Sequence, residues 1–207
     1  MGCVVGKTCC RLLDNERASG QHGGRMSTLD TASSLERVQV EPLSYEHVHE
    51  FLAAVRRSRR LHGRWVAPPD SELSFRAYVE ARQGPLSYGY VVRVKGQLAG
   101  TINLNGVMRG LLQSAFLGYY GFAPHEQRGY MSEALNHVVK IAFQRHRLHR
   151  LEANIQPDNV RSIALIKRTG FRLEGYSPRY LKIAGRWRDH ERWALTLEDW
   201  RKGKSRG

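Results

Sequence analysis

The sequence predicts a single α/β domain of the α+β kind, a mixed and mostly antiparallel twisted sheet of about seven strands with helices on both faces. Three observations predict it. The chain has 207 residues, 41% of them hydrophobic, which is enough for one sizeable core. Segments of period two and period 3.6 alternate in the order β-α-α-β-β-β-α-β-α-β-β. Hairpins supply antiparallel pairs, and a strand–helix–strand unit across residues 114–155 supplies a parallel one.

RVQVEPL (37–43) alternates apolar and polar residues and reads as the first strand. Ser44 caps a helix whose Val48, Phe51, Leu52 and Val55 recur at helical spacing. RRSRRLHGRWVAPPD (56–70) reads as a basic loop, and Ser71 starts a second helix carrying Phe75, Tyr78 and Val79. LSYGYVVRV, KGQ and LAGTINLN read as strand, tight turn and strand, and SAFLGYYGF as a fourth strand. Met131, Ala134, Leu135, Val138, Val139 and Ala142 then form one apolar helical stripe. RLEANI is a strand; Asp158 or Asn159 caps the next helix, which Gly170 ends as a left-handed residue. RYLKIAG and RWALTL are the last strands, and 201–207 is a loose basic tail.

The domain is expected over residues 36–200, preceded by a disordered extension, 1–35, with an alternative start at Met26. Met-Gly opens the chain, but Gly6 stands where N-myristoylation needs Ser or Thr. Gly-Lys-Thr at 6–8 lacks the glycine and the strand of a phosphate loop. Cys3, Cys9 and Cys10 are all the cysteines, so neither a disulfide framework nor a thiol nucleophile serves the body of the chain, which fits a reducing cytoplasm. No apolar run approaches the ~20 residues of a membrane span. A net charge of +14 attracts polyanions such as nucleic acid, ribosomes or phosphorylated ligands without choosing among them.

Chemistry concentrates in APHEQRGYMSEALNHVV (123–139), where Gly129 follows Arg128 and opens a helix. A helix N-terminus leaves N–H groups without backbone partners and carries partial positive charge. Gly129 reads either as a plain turn or as the point where those groups close around a phosphate, with Arg128 adding a charge.

Glu-Gln-Arg-Gly-Tyr-Met, after a strand and opening a helix, resembles the acyl-CoA pyrophosphate loop of the GNAT acetyltransferases, Gln/Arg-x-x-Gly-x-Gly/Ala. Glu126 and Met131 depart from that pattern at its ends. Arg-Gly-Tyr-Met-Ser-Glu-Ala is similar to the RimJ/RimL branch, which acts on N-terminal α-amines of ribosomal proteins. The resemblance runs over roughly residues 37–200 and extends to NGVMRG, FLGYYG, HRLEANIQPDNVRSIALIKRTGF and, most distinctively, GRWRDH.

The resemblance implies a splay between strands four and five, with the thioester in the opening. It implies pyrophosphate binding by the backbone of Gln127, Arg128, Gly129, Tyr130, Met131 and Ser132. It implies pantetheine pairing along Tyr120, Gly121, Phe122 and Ala123, and a hydrogen bond from Asn159. Ser162 matches the serine that related enzymes place near the CoA sulfur, where a hydroxyl donates to the leaving thiolate; read plainly, Asn159 is a cap and Ser162 a helix-surface residue. Trp65, Asn103, Tyr180 and Trp187 are the substrate-facing candidates. Acetyl-CoA is the expected co-substrate, with no metal: His146 and His149 have ligand-like spacing but no completing group, and read as helix-end histidines. The expected assembly is a monomer or homodimer.

Two residues common in GNAT enzymes are missing. Ile166 stands where many have a tyrosine acid, and Ser114 to Leu117 offer no carboxylate base; Glu133 reads as a dipole-favoured carboxylate. An α-amine of pKa near 8 is roughly 10–20% neutral at pH 7, whereas a lysine amine is neutral about 0.04% of the time. A site without a dedicated base therefore favours a protein N-terminal α-amine, such as that of a ribosomal protein. Two alternatives stand beside this: a small-molecule amine acyltransferase, and a ribosome- or RNA-binding protein keeping a degenerate fold, for which RRSRR, RHRLHR and RKGKSRG are the basic evidence.

Overall fold

The computed structural model describes residues 37–183 and 185–204; the expected extension 1–35, Met26 and the three cysteines lie outside the described residues. The elements are β1 (Gln39–Pro42), α1 (Val48–Arg57), α2 (Arg59–His62), α3 (Glu72–Glu80), β2 (Tyr88–Val94), β3 (Gln97–Met108) and β4 (Ser114–Gly121). They continue with α4 (Tyr130–Gln144), β5 (Arg150–Ile155), α5 (Val160–Arg168), β6 (Arg172–Ile183), β7 (Arg186–Thr196) and α6 (Leu197–Lys204). The strands form one seven-stranded sheet in the order β1-β2-β3-β4-β5-β7-β6. Every neighbouring pair is antiparallel except β4–β5. Lys95 (φ +50) and Gly96 (φ +77) turn the β2–β3 hairpin in the left-handed conformation that matches strand twist.

The parallel pair is short. Only Ser114–Phe116 align with Arg150–Glu152, after which β4 continues to Gly121 and β5 to Ile155 without pairing to each other. This is the expected splay. The pleat sends alternate side chains to opposite faces. Ala115 and Leu117 of β4, Leu151, Ala153 and Ile155 of β5, and Trp193 and Leu195 of β7 join the core under α4 and α5. On the other face Val91, Leu98 and Phe122 pack with Phe51, Phe75 and Val79 of α1 and α3, with Tyr120 at the edge.

Four local expectations are corrected. Residues 59–62 of the basic loop form α2: His62 N–H donates to Ser58 O (2.9 Å), and Gly63 (φ +48) ends the turn. A one-turn helix is too short to show a period. The final strands begin earlier than RYLKIAG and RWALTL, because β6 is bulged at Leu173/Gly175 and Ser177/Leu181 and largely exposed, which erases its alternation. Leu197 starts a helix rather than ending a strand: Thr196 Oγ1 accepts from Asp199 N–H (3.3 Å), and residues 201–204 of the expected loose tail are helical. α4 ends at Gln144, so His146 and His149 lie beyond it.

Candidate active site

Gly129 is the N-cap of α4 at φ +83, and its carbonyl accepts from Ser132 N–H (3.0 Å) and Glu133 N–H (3.2 Å). Gln127 is also left-handed, at φ +60. Among the described residues, no carbonyl accepts the N–H groups of Gln127, Arg128, Gly129, Tyr130 or Met131. Consecutive free N–H groups on such a turn, at the positive end of a helix dipole, make an anion cradle. Arg37 braces it from below. Its Nη2 donates to Arg128 O (3.1 Å), it pairs with Glu133, and its guanidinium lies 4.9 Å from the centroid of the Tyr130 ring. Gly100 on β3 leaves room for the loop: a Cβ there would meet Met131 Sδ at 2.5 Å and Tyr120 O at 2.9 Å.

The cradle opens into a cavity of about 1030 Å³ lined by both splayed strands. Phe122 N–H donates to Ala99 O (2.8 Å), so by antiparallel alternation Tyr120 bonds toward β3 while Tyr119 and Gly121 turn their backbone groups to the cleft. His62 Nε2 sits 2.9 Å from Gly121 O and donates to it, leaving Gly121 N–H and both Tyr119 groups on the open edge. Burial pushes the His62 pKa down, against this bond.

On the α4/α5 side, Asn159 caps α5 by accepting from Ser162 N–H (3.2 Å). Ser162 Oγ lies 2.8 Å from the hydroxyl of Tyr119. Burial raises the Tyr119 pKa to about 12, with the Ser162 bond pulling the other way, so the phenol stays protonated at neutral pH. Tyr119 was not among the sequence candidates; the signal was its odd position on a strand whose even residue, Tyr120, was chosen.

The opposite wall is made of side chains. Trp65, Tyr78, Arg82, Asn103, Tyr120 and His190 line it. Asn103 Nδ2 donates to Tyr78 Oη (2.8 Å), Tyr120 Oη donates to Tyr78 Oη (3.3 Å), and the Arg82 guanidinium lies over the Tyr78 ring at 3.7 Å. Burial raises the Tyr120 pKa, with neighbouring Tyr78 adding to the shift.

Of the candidates, Trp65, Asn103, Tyr120, Gly121, Gln127, Gly129, Tyr130, Met131, Ser132, Asn159 and Ser162 meet in this cavity. Five do not. Phe122 is fully buried in the core, and Ala123 N–H already donates to Ser58 Oγ (2.9 Å). Arg128 lines a separate depression of about 220 Å³ beside Pro124 and His125. Tyr180 and Trp187 lie off the cavity, where the β6–β7 hairpin contributes Leu181, Ile183 and His190 instead; Trp187 is 61% exposed. Of the two histidines weighed as ligands, His146 Nε2 bonds Tyr90 Oη (2.6 Å) and stacks on Tyr88, and His149 pairs with Glu198 (3.0 Å). Burial lowers the His146 pKa, with Arg145 and Arg109 adding to it.

The sequence pattern of the acetyltransferase (GNAT) domain family matches residues 37–172. The chain belongs to the GNAT family. Two curated relatives agree. A probable N-acetyltransferase, YjcK, of Bacillus subtilis is 38% identical over 112 residues, covering 54% of this chain and 62% of the relative. The [ribosomal protein uS5]-alanine N-acetyltransferase of Escherichia coli is 39% identical over 108 residues, covering 52% and 56%. The aligned part thus spans about 56–62% of these relatives' lengths. Among solved structures, Mycobacterium smegmatis RimJ in complex with CoA-disulfide superposes with TM-score 0.71 at 26% identity, covering 78% of this chain and 83% of that one. The splayed β4–β5 pair and the glycine loop at α4 lie within the matched residues.

Proposed function

We propose that this GNAT protein transfers an acetyl group from acetyl-CoA to the N-terminal α-amine of a protein, such as a ribosomal protein. One observation carries the reading: a cradle of unpartnered N–H groups at Gln127–Met131 opens into a cleft that passes through the sheet to a wall of polar side chains. The CoA-bound M. smegmatis RimJ and the uS5-alanine relative support it.

The cradle fits a pyrophosphate, because it supplies several N–H donors and dipole charge without a fixed counter-anion. Acetyl-CoA supplies the thioester that the amine attacks. Gly121 N–H and the backbone of Tyr119 hold an extended arm along the open edge of β4, as a further strand would be held. Asn159 orients that arm at the start of α5. An N–H on the β4 edge polarises the attacked carbonyl, and the Ser162 hydroxyl donates to the departing thiolate. Tyr119, protonated at neutral pH, lies 2.8 Å from Ser162 Oγ and fixes the position of the serine hydroxyl at the opening.

Incubation with acetyl-CoA and a short Ala- or Ser-initiated peptide should release thiol and add one acetyl mass to the α-amine. Equal turnover on a lysine side chain in an N-blocked peptide would overturn the α-amine preference. Absence of CoA binding by calorimetry, together with salt-sensitive RNA binding, would replace the reading with a nucleic-acid-binding one. Comparison of intact N-terminal masses in cells with and without the gene identifies the acceptor.

A further inference from the structure

We propose that His190 is the general base that takes the proton from the acceptor amine. The inference rests on the acetyl-transfer reading above and replaces the sequence expectation of a site without a dedicated base. Three imidazoles line the cavity: His62, His125 and His190. A general base among them needs a nitrogen that has a free lone pair and reaches the cavity.

His62 fails that test. Its Nε2 is committed to Gly121 O, and its Nδ1 is sealed in the interior without a partner. His125 is ruled out by position: its Nε2 is sealed, and the residue stands in the loop just before the cradle, on the donor side, where it also lines the depression beside Pro124. His190 passes. Its Nδ1 lies 2.9 Å from Arg188 O, and a carbonyl can only accept, so the ring proton sits on Nδ1 and Nε2 carries the lone pair. Nε2 has no partner among the described residues and is not among the sealed buried atoms, so it meets the open space of the cavity.

The strand register puts it on the acceptor side. Trp193 and Leu195 of β7 face the α4/α5 core, so His190, at an odd interval from both, lies on the opposite face with the polar wall. Ile155 pairs with Glu191, so His190 lies just beyond the end of β5, where the splay from β4 is widest. Burial depresses its pKa from 6.5, with the Arg188 carbonyl and Asp189 acting in the other direction, so the ring is neutral at pH 7. The charged groups sharing the cavity are Asp70, Arg82, Glu126, Arg161 and Arg168, and the hairpin adds Arg188 and Asp189 beside the ring.

The step balances. The neutral amine forms the C–N bond and its nitrogen becomes cationic. One N–H proton passes to His190 Nε2, the C–S bond breaks, and the thiolate takes a proton from Ser162. The imidazolium gives its proton to solvent, which restores the serine, so no oxidant or further reactant is needed.

The test is the pH profile of kcat/KM for an Ala-initiated peptide with the full chain. The amine's own ionisation gives a slope of one below about pH 8, and a second essential base gives a slope of two below its own pKa. Wild type should show both segments. His190→Gln should lose the steeper segment and about a hundredfold in kcat, and imidazole should restore part of the turnover of His190→Ala. A single slope of one down to pH 5 in wild type, or an unchanged steep segment in His190→Gln, overturns the proposal. Should neither variant fold, the wild-type slope decides. Failure of the acetyl-transfer reading looks different: no thiol is released at any pH.

Discussion

One wall of the cleft, the loop into α4, presents backbone N–H groups from consecutive residues, Gln127 to Met131. The opposite wall presents side chains gathered from the segment after α2, from α3 and the turn that follows it, and from β3, β4 and β7. Backbone groups cannot be mutated away, so the first wall suits a ligand part that never changes. Side chains can be exchanged one at a time, so the second suits an acceptor that differs between relatives. Substitutions in the first wall should therefore remove binding altogether, and those in the second should only redirect it.

Gly129→Val breaks the first wall most directly. A β-branched residue at φ +83 is strained by about 1–2 kcal/mol or more, and the loop must leave its cradle to relieve it. Acetyl-CoA affinity measured by calorimetry should fall about a hundredfold with the fold retained. Gly100→Ala attacks the same wall from beneath. Its Cβ would meet Met131 Sδ at 2.5 Å and the immovable Tyr120 O at 2.9 Å, so a loss of about 1–3 kcal/mol is expected in denaturant unfolding. Ser162→Ala should lower kcat about tenfold at unchanged acetyl-CoA affinity, since one donor to the leaving group is lost. Arg37→Ala removes an exposed pair and one carbonyl contact, and should weaken acetyl-CoA about two- to threefold.

The smallest effect is spread over four histidines, of which His190 belongs to the second wall. His62, His125, His146 and His190 all have pKa values held below 6.5, chiefly by burial. Their unfolded forms bind protons first, so stability is complete above about pH 6.5 and declines as pH falls below it. The urea midpoint should drop between pH 7 and pH 5, and His146→Gln should flatten that drop.

Local features were legible in the sequence. The glycine loop, the Asn159 cap and the β2–β3 turn each depend on residues within a few positions of one another, and each stands where the pattern indicated. The brace from Arg37 to Glu133 spans 96 positions and left no such trace. Tyr78, Arg82 and His190 were missed for the same reason: each reaches the cavity through sheet order and helix packing. Arg128 divides: its N–H stands in the cradle that the pattern indicated, while the residue lines the separate depression beside Pro124 and His125. Tyr180 was chosen from a strand whose bulges break the alternation needed to say which residues face inward.

β4 serves both walls at once. Its odd residues, Leu117 and Tyr119, pack toward α4 and α5, and its even residues, Gly118 and Tyr120, belong to the acceptor side. Exchanging even positions can alter acceptor choice without disturbing donor geometry. Inserting or deleting a single residue would instead turn every side chain over and carry the Tyr119 phenol away from Ser162. The strand is therefore free to drift in composition but locked in length, and diversification among its relatives is expected to leave the count of residues between Ser114 and Gly121 unchanged.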